Sequence, residues 1–370
     1  MSIWSLATDF GRSLFRRESA ATREVLERSA AMGAALQVAD AIYQPARFWL
    51  ELMAENESML RIFGVENFKR ALSQNYFNFP IEHPEDPQLR ALLATQDRDA
   101  PPPAVKLLGT PELRSVRRTA FLRSSPAAQT YARFVGLLWR HATRDDPEGL
   151  GRILSEPDLG NPVPLALEGR RISQDLANSL REYRRLQPYL KPTPDEPIPV
   201  LAEIGAGYGR LGYVARSVQR CRYWIFDIPP ALAVAEWYFA HPCLGAKVFR
   251  WRRFSAWDDV AAELAGADVA IFSIDQLGLA PDASVRAFAA ISALHEFRPE
   301  QVPFYLSLMG RKATEAIYTK NHATWYNDRD DLTFRSESLL PPAGWSTAFD
   351  RPDDVLQSFT EKLFVREGAE

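Results

Sequence analysis

From residue 198 onward the apolar positions come in short unbroken runs, separated by stretches in which they repeat at helical spacing. Pro199-Val-Leu-Ala-Glu-Ile204 is one such run and Tyr223-Trp-Ile-Phe226 the next. Apolar runs of this length, without strict polar alternation, mark strands covered on both faces. Between them Leu211, Val214 and Ala215 fall on one helical stripe. Carried along the chain, the pattern predicts strands at 199–204, 222–227, 269–275, 286–293, 314–319 and 358–366. It predicts helices at 209–219, 230–240, 255–265 and 299–311. Lys247-Val-Phe-Arg-Trp251 reads equally as an additional strand. Strands alternating with helices argue a parallel sheet covered by helices, an α/β arrangement.

The residues before 198 read differently. Trp4, Leu6, Phe10, Leu14 and Phe15 sit near helical spacing. Thr22-Arg-Glu-Val25 opens a helix toward Tyr43, with Thr22 as its N-cap, and Pro45 interrupts. Phe48, Trp49, Leu52 and Met53 form a second amphipathic stretch and read as helix packing. Residues 64–80 mix aromatics with amides and suit either a polar pocket or a capped helix and turn. The stretch 80–104, with Pro80, Pro84, Pro87, Pro101, Pro102 and Pro103, reads as an exposed linker. Residues 111–142 look helical and 145–168 loop-like. In 171–183, Leu176, Leu180 and Tyr183 make one stripe while Ser173, Gln174, Asp175 and Asn178 crowd the first turns. Short polar residues there serve as caps or as ligand contacts. Pro188, Pro192, Pro194 and Pro197 mark a boundary. The expected organisation is a mostly helical domain over 1–196 and an α/β domain over 197–370.

Composition narrows this only at the edges. A chain of 370 residues with 46% apolar and 25% charged residues is an ordinary globular protein long enough for about two domains. A net charge of −3 offers no bulk basic field for nucleic acid. Arginine pairs such as 117–118 and 184–185 read as solvated helix faces. Cys221 and Cys243 form no disulfide framework and match no metal spacing, which points to a reducing compartment, the cytoplasm. Neither a membrane-spanning apolar run nor a signal peptide is expected.

Chemistry concentrates between the first two strands. Gly205, Gly207 and Gly209 stand at alternate positions, followed by a helix start whose free N–H groups suit a polar or anionic ligand. Glu203 lies two residues before the first glycine. Asp227 ends the second strand, 20 residues after Gly207, where nucleotide-binding α/β folds place the carboxylate that grips ribose hydroxyls. The dinucleotide fingerprint requires glycine at 210, and Arg210 is there. That tilts the ligand from NAD toward S-adenosylmethionine, which has no pyrophosphate to cradle.

The run Glu203-Ile-Gly-Ala-Gly-Tyr-Gly-Arg-Leu-Gly212, with Trp224-Ile-Phe-Asp-Ile-Pro-Pro230, resembles the sugar O-methyltransferase family among the class I S-adenosylmethionine-dependent methyltransferases. Ile172-Ser-Gln-Asp-Leu-Ala-Asn-Ser179, Ser292-Ala-Leu-His-Glu-Phe297, and Tyr318-Thr-Lys-Asn321 with Trp325 and Asn327 are similar in the same order, so the resemblance spans roughly 45–335. It implies a Rossmann-like doubly wound sheet with its last strand antiparallel, a helical N-terminal domain, and methyl transfer to a hydroxyl. It also implies that Glu203, Gly205, Ala206, Gly207 and Gly209 surround the methionine part of the cofactor, and that Asp227 binds ribose. Ile228 would lie on the adenine, with Asp275 and Gln276 near its amine. Many class I enzymes carry an acid early in the fourth strand, whereas Ser284-Val-Arg-Ala-Phe288 has none.

A sugar hydroxyl is a weak acid, so a general base helps by about 10²–10⁴-fold. His295, at the carboxyl end of the expected fourth strand, is the first candidate base; a structural, strand-capping role fits it equally. Glu296 beside it is either the base or the group that orients the imidazole. Lys320 and Asn321, followed by His322, end the fifth strand at the same edge and suit acceptor hydroxyls or phosphates. Asp175 and Asn178 suit a lid from the helical domain. Several sugar methyltransferases use a divalent metal, and Asp275, Glu296 and Asp328 lie near this edge, yet no spacing demands one. The expected partner is a small-molecule or glycan acceptor, with oligomeric state open, a homodimer included. The rival readings are an NAD-dependent oxidoreductase and a non-catalytic scaffold of the same fold.

Overall fold

Strands β4 (Val200–Ile204) and β5 (Arg222–Asp227) lie side by side and parallel at the centre of an eight-stranded sheet. The computed structural model describes residues 18–72, 81–96, 101–108, 125–192 and 197–368. The aromatics of residues 4–15, residues 73–80 of the aromatic–amide stretch, residues 111–124 of the expected helix, and Pro194 lie outside the described residues. The chain divides into two compact units, one of residues up to Arg28 with Leu52–Asn178, the other of Ser29–Glu51 with Ser179–Glu370.

The first unit is built mainly from helices. Helices α1 (Ala20–Gln37) and α2 (Arg47–Phe63) contribute to both units; α3 (Phe68–Ala71), α4 (Pro87–Ala94), α5 (Ser125–Ala142) and α6 (Leu150–Ile153) belong to the first. The cap of α1 is Ser19, whose hydroxyl accepts the N–H of Thr22 at 3.0 Å, so Thr22 is already inside the helix. On α5, Tyr131, Phe134, Val135 and Leu138 are buried at helical intervals. The proline-rich stretch is more ordered than its composition suggests. Asp86 caps α4 through the N–H of Gln88 at 2.8 Å, Pro87 occupies the first turn, and Leu89 and Leu92 are buried. Proline is tolerated where an N–H would lack an intrahelical partner. Three short antiparallel strands, β1 (Lys106–Leu107), β2 (Leu165–Leu167) and β3 (Arg170–Ile172), complete the unit. They lead into α7 (Gln174–Leu186), capped by the Ser173 hydroxyl, which accepts the Leu176 N–H at 3.0 Å.

The second unit holds the sheet, in the order β12-β13-β9-β8-β4-β5-β7-β6. Beyond β4 and β5 its strands are β6 (Val248–Phe249), β7 (Val269–Ser273), β8 (Val285–Ile291), β9 (Ala313–His322), β12 (Trp345–Pro352) and β13 (Phe359–Arg366). All pairs from β6 to β9 are parallel, and β13 runs antiparallel to both β9 and β12. The order reverses at β4, which has β5 on one side and β8 on the other. This is a doubly wound, mostly parallel α/β sheet with its last strand antiparallel, as expected. Crossovers are made by α8 (Arg210–Val218), α9 (Ala231–Ala240), α10 (Ala261–Gly266) and α11 (Gln301–Lys312). Phe226, Phe272, Phe288 and Ile317 fill the core beside Met309 of α11.

The ambiguous segment 247–251 does supply a strand, the short edge strand β6. Three elements depart from expectation. Helix 255–265 is a 3₁₀ turn at 257–259 followed by the short α10. A hairpin of β10 (Thr324–Asn327) and β11 (Leu332–Arg335) and the strand β12 have no counterpart in the pattern. Strand β12 exposes most of its residues and buries only Trp345, so it lacks the apolar run that betrays the inner strands. Among the described residues no helix is long and apolar enough to cross a membrane.

Candidate functional site

The strand order reverses at β4, and open α/β sheets bind their ligands at the carboxyl ends of the strands beside such a reversal. The loop after β4 begins at Gly205, whose N–H still bonds the Phe226 carbonyl of β5 at 2.9 Å. Gly205, Gly207 and Gly209 have φ of 69°, 59° and 85°, in the left-handed region that disfavours other residues. A Cβ on Gly205 would stand 2.5 Å from the Cβ of Ala293, and one on Gly209 2.4 Å from the Phe239 ring. Glycine here lets the turn pass directly against the loop that follows β8. Ala206 between them is buried.

Asp227 ties this turn to the end of β5. Its Oδ2 accepts the Gly207 N–H and its Oδ1 the Ile228 N–H, both at 2.7 Å. Burial raises its pKa to about 7 against those two hydrogen bonds. Ile228 is half-buried against the sheet core. Glu203 sits inside β4 and accepts the hydroxyl of Tyr223; burial pushes it up to about 8, opposed by Arg210. Arg210, where a dinucleotide fold needs glycine, donates to Ser179 Oγ at 2.7 Å and Glu182 Oε2 at 2.6 Å.

After β7 the chain forms a 3₁₀ turn, Ile274–Leu279. Gln276 caps it: its carbonyl oxygen accepts the Ser273 N–H at 3.0 Å and its amide donates to the Arg252 carbonyl at 2.9 Å. Asp275 is different, because its Oδ1 is buried with no hydrogen-bond partner among the described residues. A buried acceptor left unpaired costs about 1–3 kcal/mol, and an incoming N–H would recover it. Replacing Asp275 by alanine is therefore expected to weaken S-adenosylhomocysteine binding by about tenfold or more, as titration calorimetry would measure. Unchanged affinity would remove Asp275 from the site.

The loop after β8 carries the candidate base. Ser292 has φ of 54°, and a short 3₁₀ turn, Leu294–Glu296, follows. His295 is thus off the strand end, with its side chain 2% exposed, and Glu296 is the outer of the two at 16%. His295 Nε2 lies 3.6 Å from Glu296 Oε1. Burial, with His322 adding, lowers the His295 pKa to about 3. Burial, with the charge of Asp227 adding, raises Glu296 to about 8. Trp49, whose indole N–H has no partner of ordinary geometry among the described residues, opposes that rise.

Alternation along β9 separates two residues that adjacent positions had suggested would act together. Asn321 points toward His295, its Oδ1 3.3 Å from the His295 N–H. Lys320 points to the other face, fully buried, with Glu182 at 3.3 Å and Asp353 at 2.8 Å. Asp175 and Asn178 are buried in the first turns of α7, in the first unit. Residues 29–51 belong to the sheet unit, which no periodicity announces. Gln301 fixes this segment by donating to the carbonyls of Ile42 and Gln44, and Asp330 caps α2 by accepting the N–H groups of Arg47 and Phe48. The Tyr43 hydroxyl comes within 2.9 Å of the Cβ position of Gly278, in the same turn as Asp275. No group of three or more histidine, cysteine or acidic side chains among the described residues is placed to hold a metal ion.

Several solved structures that the chain resembles are methyltransferases. One is an S-adenosylmethionine-dependent methyltransferase from Aquifex aeolicus, with 15% identity, 50% of this chain and 88% of that one covered, and a TM-score of 0.32. Magnesium protoporphyrin IX methyltransferase from Synechocystis PCC 6803, solved with S-adenosylmethionine bound, gives 12%, 62%, 90% and 0.32. Mitomycin 7-O-methyltransferase gives 13%, 51%, 56% and 0.32. No protein-family model and no curated protein matches the chain. Likeness at these values assigns no residue a role.

Proposed function

We propose that the chain is an S-adenosylmethionine-dependent O-methyltransferase acting on a hydroxyl of a sugar or glycoconjugate, with Glu296 as the general base. The observation that carries the cofactor is the glycine turn tied to Asp227, together with the unpaired acceptor Asp275 Oδ1. The turn can approach a ligand closely, Asp227 can accept ribose hydroxyls, and Asp275 can accept an adenine N–H. Glu203, Gly205, Ala206, Gly207 and Gly209 would hold the methionine end, and Ile228 the adenine face. Gln276 supports the turn through its own hydrogen bonds. The sugar reading rests on the Ser-Gln-Asp-Leu-Ala-Asn-Ser and Asp-Ile-Pro segments. Arg210, committed to Ser179 and Glu182, stands against a dinucleotide.

When bound, S-adenosylmethionine supplies a methyl group on a sulfonium that is already a good leaving group. The chain must orient the acceptor and take its proton; orientation alone can supply about 7–11 kcal/mol. Glu296 suits the proton better than His295, because it is the more exposed and its conjugate acid is far the weaker. The acceptor O–H bond breaks, its proton bonds to a Glu296 carboxylate oxygen, and the electron pair left on the acceptor oxygen is free to take the methyl group, with His295 behind Glu296. Lys320 we assign to the fold.

A pH signature follows. A base with a pKa near 8 is mostly protonated at neutral pH, so turnover is expected to rise with pH and level off above about 8. His295, already neutral well below pH 5, adds no limb between pH 5 and 7. A single limb near 6.5 in the pH profile of kcat, measured with cofactor and acceptor saturating so that Asp227, itself near 7, is already engaged, would return the role to His295.

The first experiment is thermal unfolding with S-adenosylhomocysteine, S-adenosylmethionine and NAD. A ligand at 100 times its Kd stabilises by about 2.7 kcal/mol, a shift of roughly 5–11 °C in a domain of about 200 residues. Shifts with both adenosyl compounds and none with NAD are expected; a shift with NAD alone overturns the proposal.

A further inference from the structure

We propose that Asn321 is a positioning residue that fixes His295 as its Nδ1–H tautomer, so that the imidazole turns the lone pair of Nε2 toward Glu296. This rests on the reading of Glu296 as the base.

Asn321 is fully buried on β9. Its Oδ1 accepts the main-chain N–H of His295 at 3.3 Å, and this sets the amide orientation, since an NH₂ placed there would face a donor. The same oxygen lies 3.2 Å from His295 Nδ1. An acceptor at that distance requires a hydrogen on Nδ1. A neutral imidazole carries one N–H, so Nε2 is left bare, 3.6 Å from Glu296 Oε1.

The ring has little freedom to escape this arrangement. His322 packs edge-on at 4.8 Å between centroids, Trp325 of β10 at 5.2 Å, Phe334 of β11 at 6.1 Å and Phe359 of β13 at 6.2 Å. The titratable groups facing the pair are His322 at the end of β9, Glu296 itself, and Asp227 at the end of β5, whose charge acts on Glu296. The strands β10, β11 and β13 contribute aromatic rings at His295. His322 is itself depressed by burial.

The arrangement has a chemical sense. A lone pair facing a carboxyl group favours its protonated form, because only that form can donate to it. An N–H facing it would favour the carboxylate and make a weaker base. Asn321 thus strengthens Glu296 by way of His295. When the acceptor proton reaches Glu296 it faces the bare Nε2 at 3.6 Å, and it leaves from Glu296 to solvent without charging His295.

The test reads the tautomer directly. The chain has five histidines, so a long-range ¹H–¹⁵N spectrum of ¹⁵N-histidine-labelled full-length protein is sparse, and His295→Gln identifies the signal. In the ligand-free wild type at pH 7, His295 is expected to carry its proton on Nδ1. In Asn321→Asp, which keeps an oxygen in place, that tautomer should persist. In Asn321→Leu it should give way to Nε2–H, and the Glu296 titration followed by ¹³C-glutamate spectra should fall by about one pH unit, a tenfold change in proton affinity. An Nε2–H or doubly protonated His295 in the wild type overturns the proposal without any variant. Retention of Nδ1–H in Asn321→Leu overturns it also. Calorimetry with S-adenosylhomocysteine runs alongside: failure to bind overturns the methyltransferase reading and leaves the tautomer result standing.

Discussion

Replacing Lys320 by methionine is expected to destabilise the sheet-bearing unit by about 3–5 kcal/mol, as urea unfolding would show. The lysine is fully buried among charges that cannot reach water. Glu182, which also takes Arg210 at 2.6 Å, stands on one side; Asp353, which also takes Arg181 at 3.1 Å, stands on the other. Burial by itself would raise the pKa of Asp353, yet Lys320 and then Arg181 overcome it and hold the carboxyl well below the usual range. Removing the ammonium takes one partner from each of Glu182 and Asp353 and leaves three carboxylates, these two and the half-exposed Asp354, against the guanidiniums of Arg181 and Arg210 in a site of low dielectric, a larger loss than an exposed ion pair could cause. The double variant Lys320→Met with Asp353→Asn should recover part of the loss, because it removes the excess charge. A loss below about 1 kcal/mol in the single variant, the range of exposed pairs, would place the ammonium in solvent-like surroundings and reopen an acceptor role for it.

Gly205→Ala is expected to damage stability and cofactor affinity together. Its φ of 69° costs an L-residue about 1–2 kcal/mol. The new Cβ would also lie 2.5 Å from Ala293 Cβ, and overpacking of that kind costs about 1–3 kcal/mol. Relief requires the β4 turn and the β8 loop to part. The first carries the amides of the glycine turn and the second carries His295 and Glu296 two and three residues on. S-adenosylhomocysteine affinity should fall by at least about tenfold even where the protein remains folded, a change of about 1.4 kcal/mol. Gly169→Ala is a fair control, having a comparable φ of 78° with no atom within 4 Å of its Cβ position. Equal effects of the two would show that strain, and not the approach to Ala293, is what matters.

The inner strands were legible because burial on both faces forces an unbroken apolar run, and the glycines and Asp227 because a tight turn between two such strands leaves a distinct spacing. The strand β12 and the β10–β11 hairpin were not, since a solvent-facing edge puts no such demand on side chains. The proline-rich segment misled for a related reason: proline at a helix start is compatible with order, and the buried Leu89 and Leu92 are too few to make a visible stripe.

The site divides along the same line. Sequence by itself determined the α/β alternation, the glycine turn and its acidic partner, and the presence of His295, Glu296, Lys320 and Asn321 near one edge, all set by local spacing. Tertiary structure alone decided how those four are placed. It buried His295 behind Glu296, put Lys320 and Asn321 on opposite faces of β9, and brought residues 29–51 onto the sheet unit. Charge state and tautomer depend on burial and on neighbours far away in the chain, and neither quantity is written in the spacing of residues.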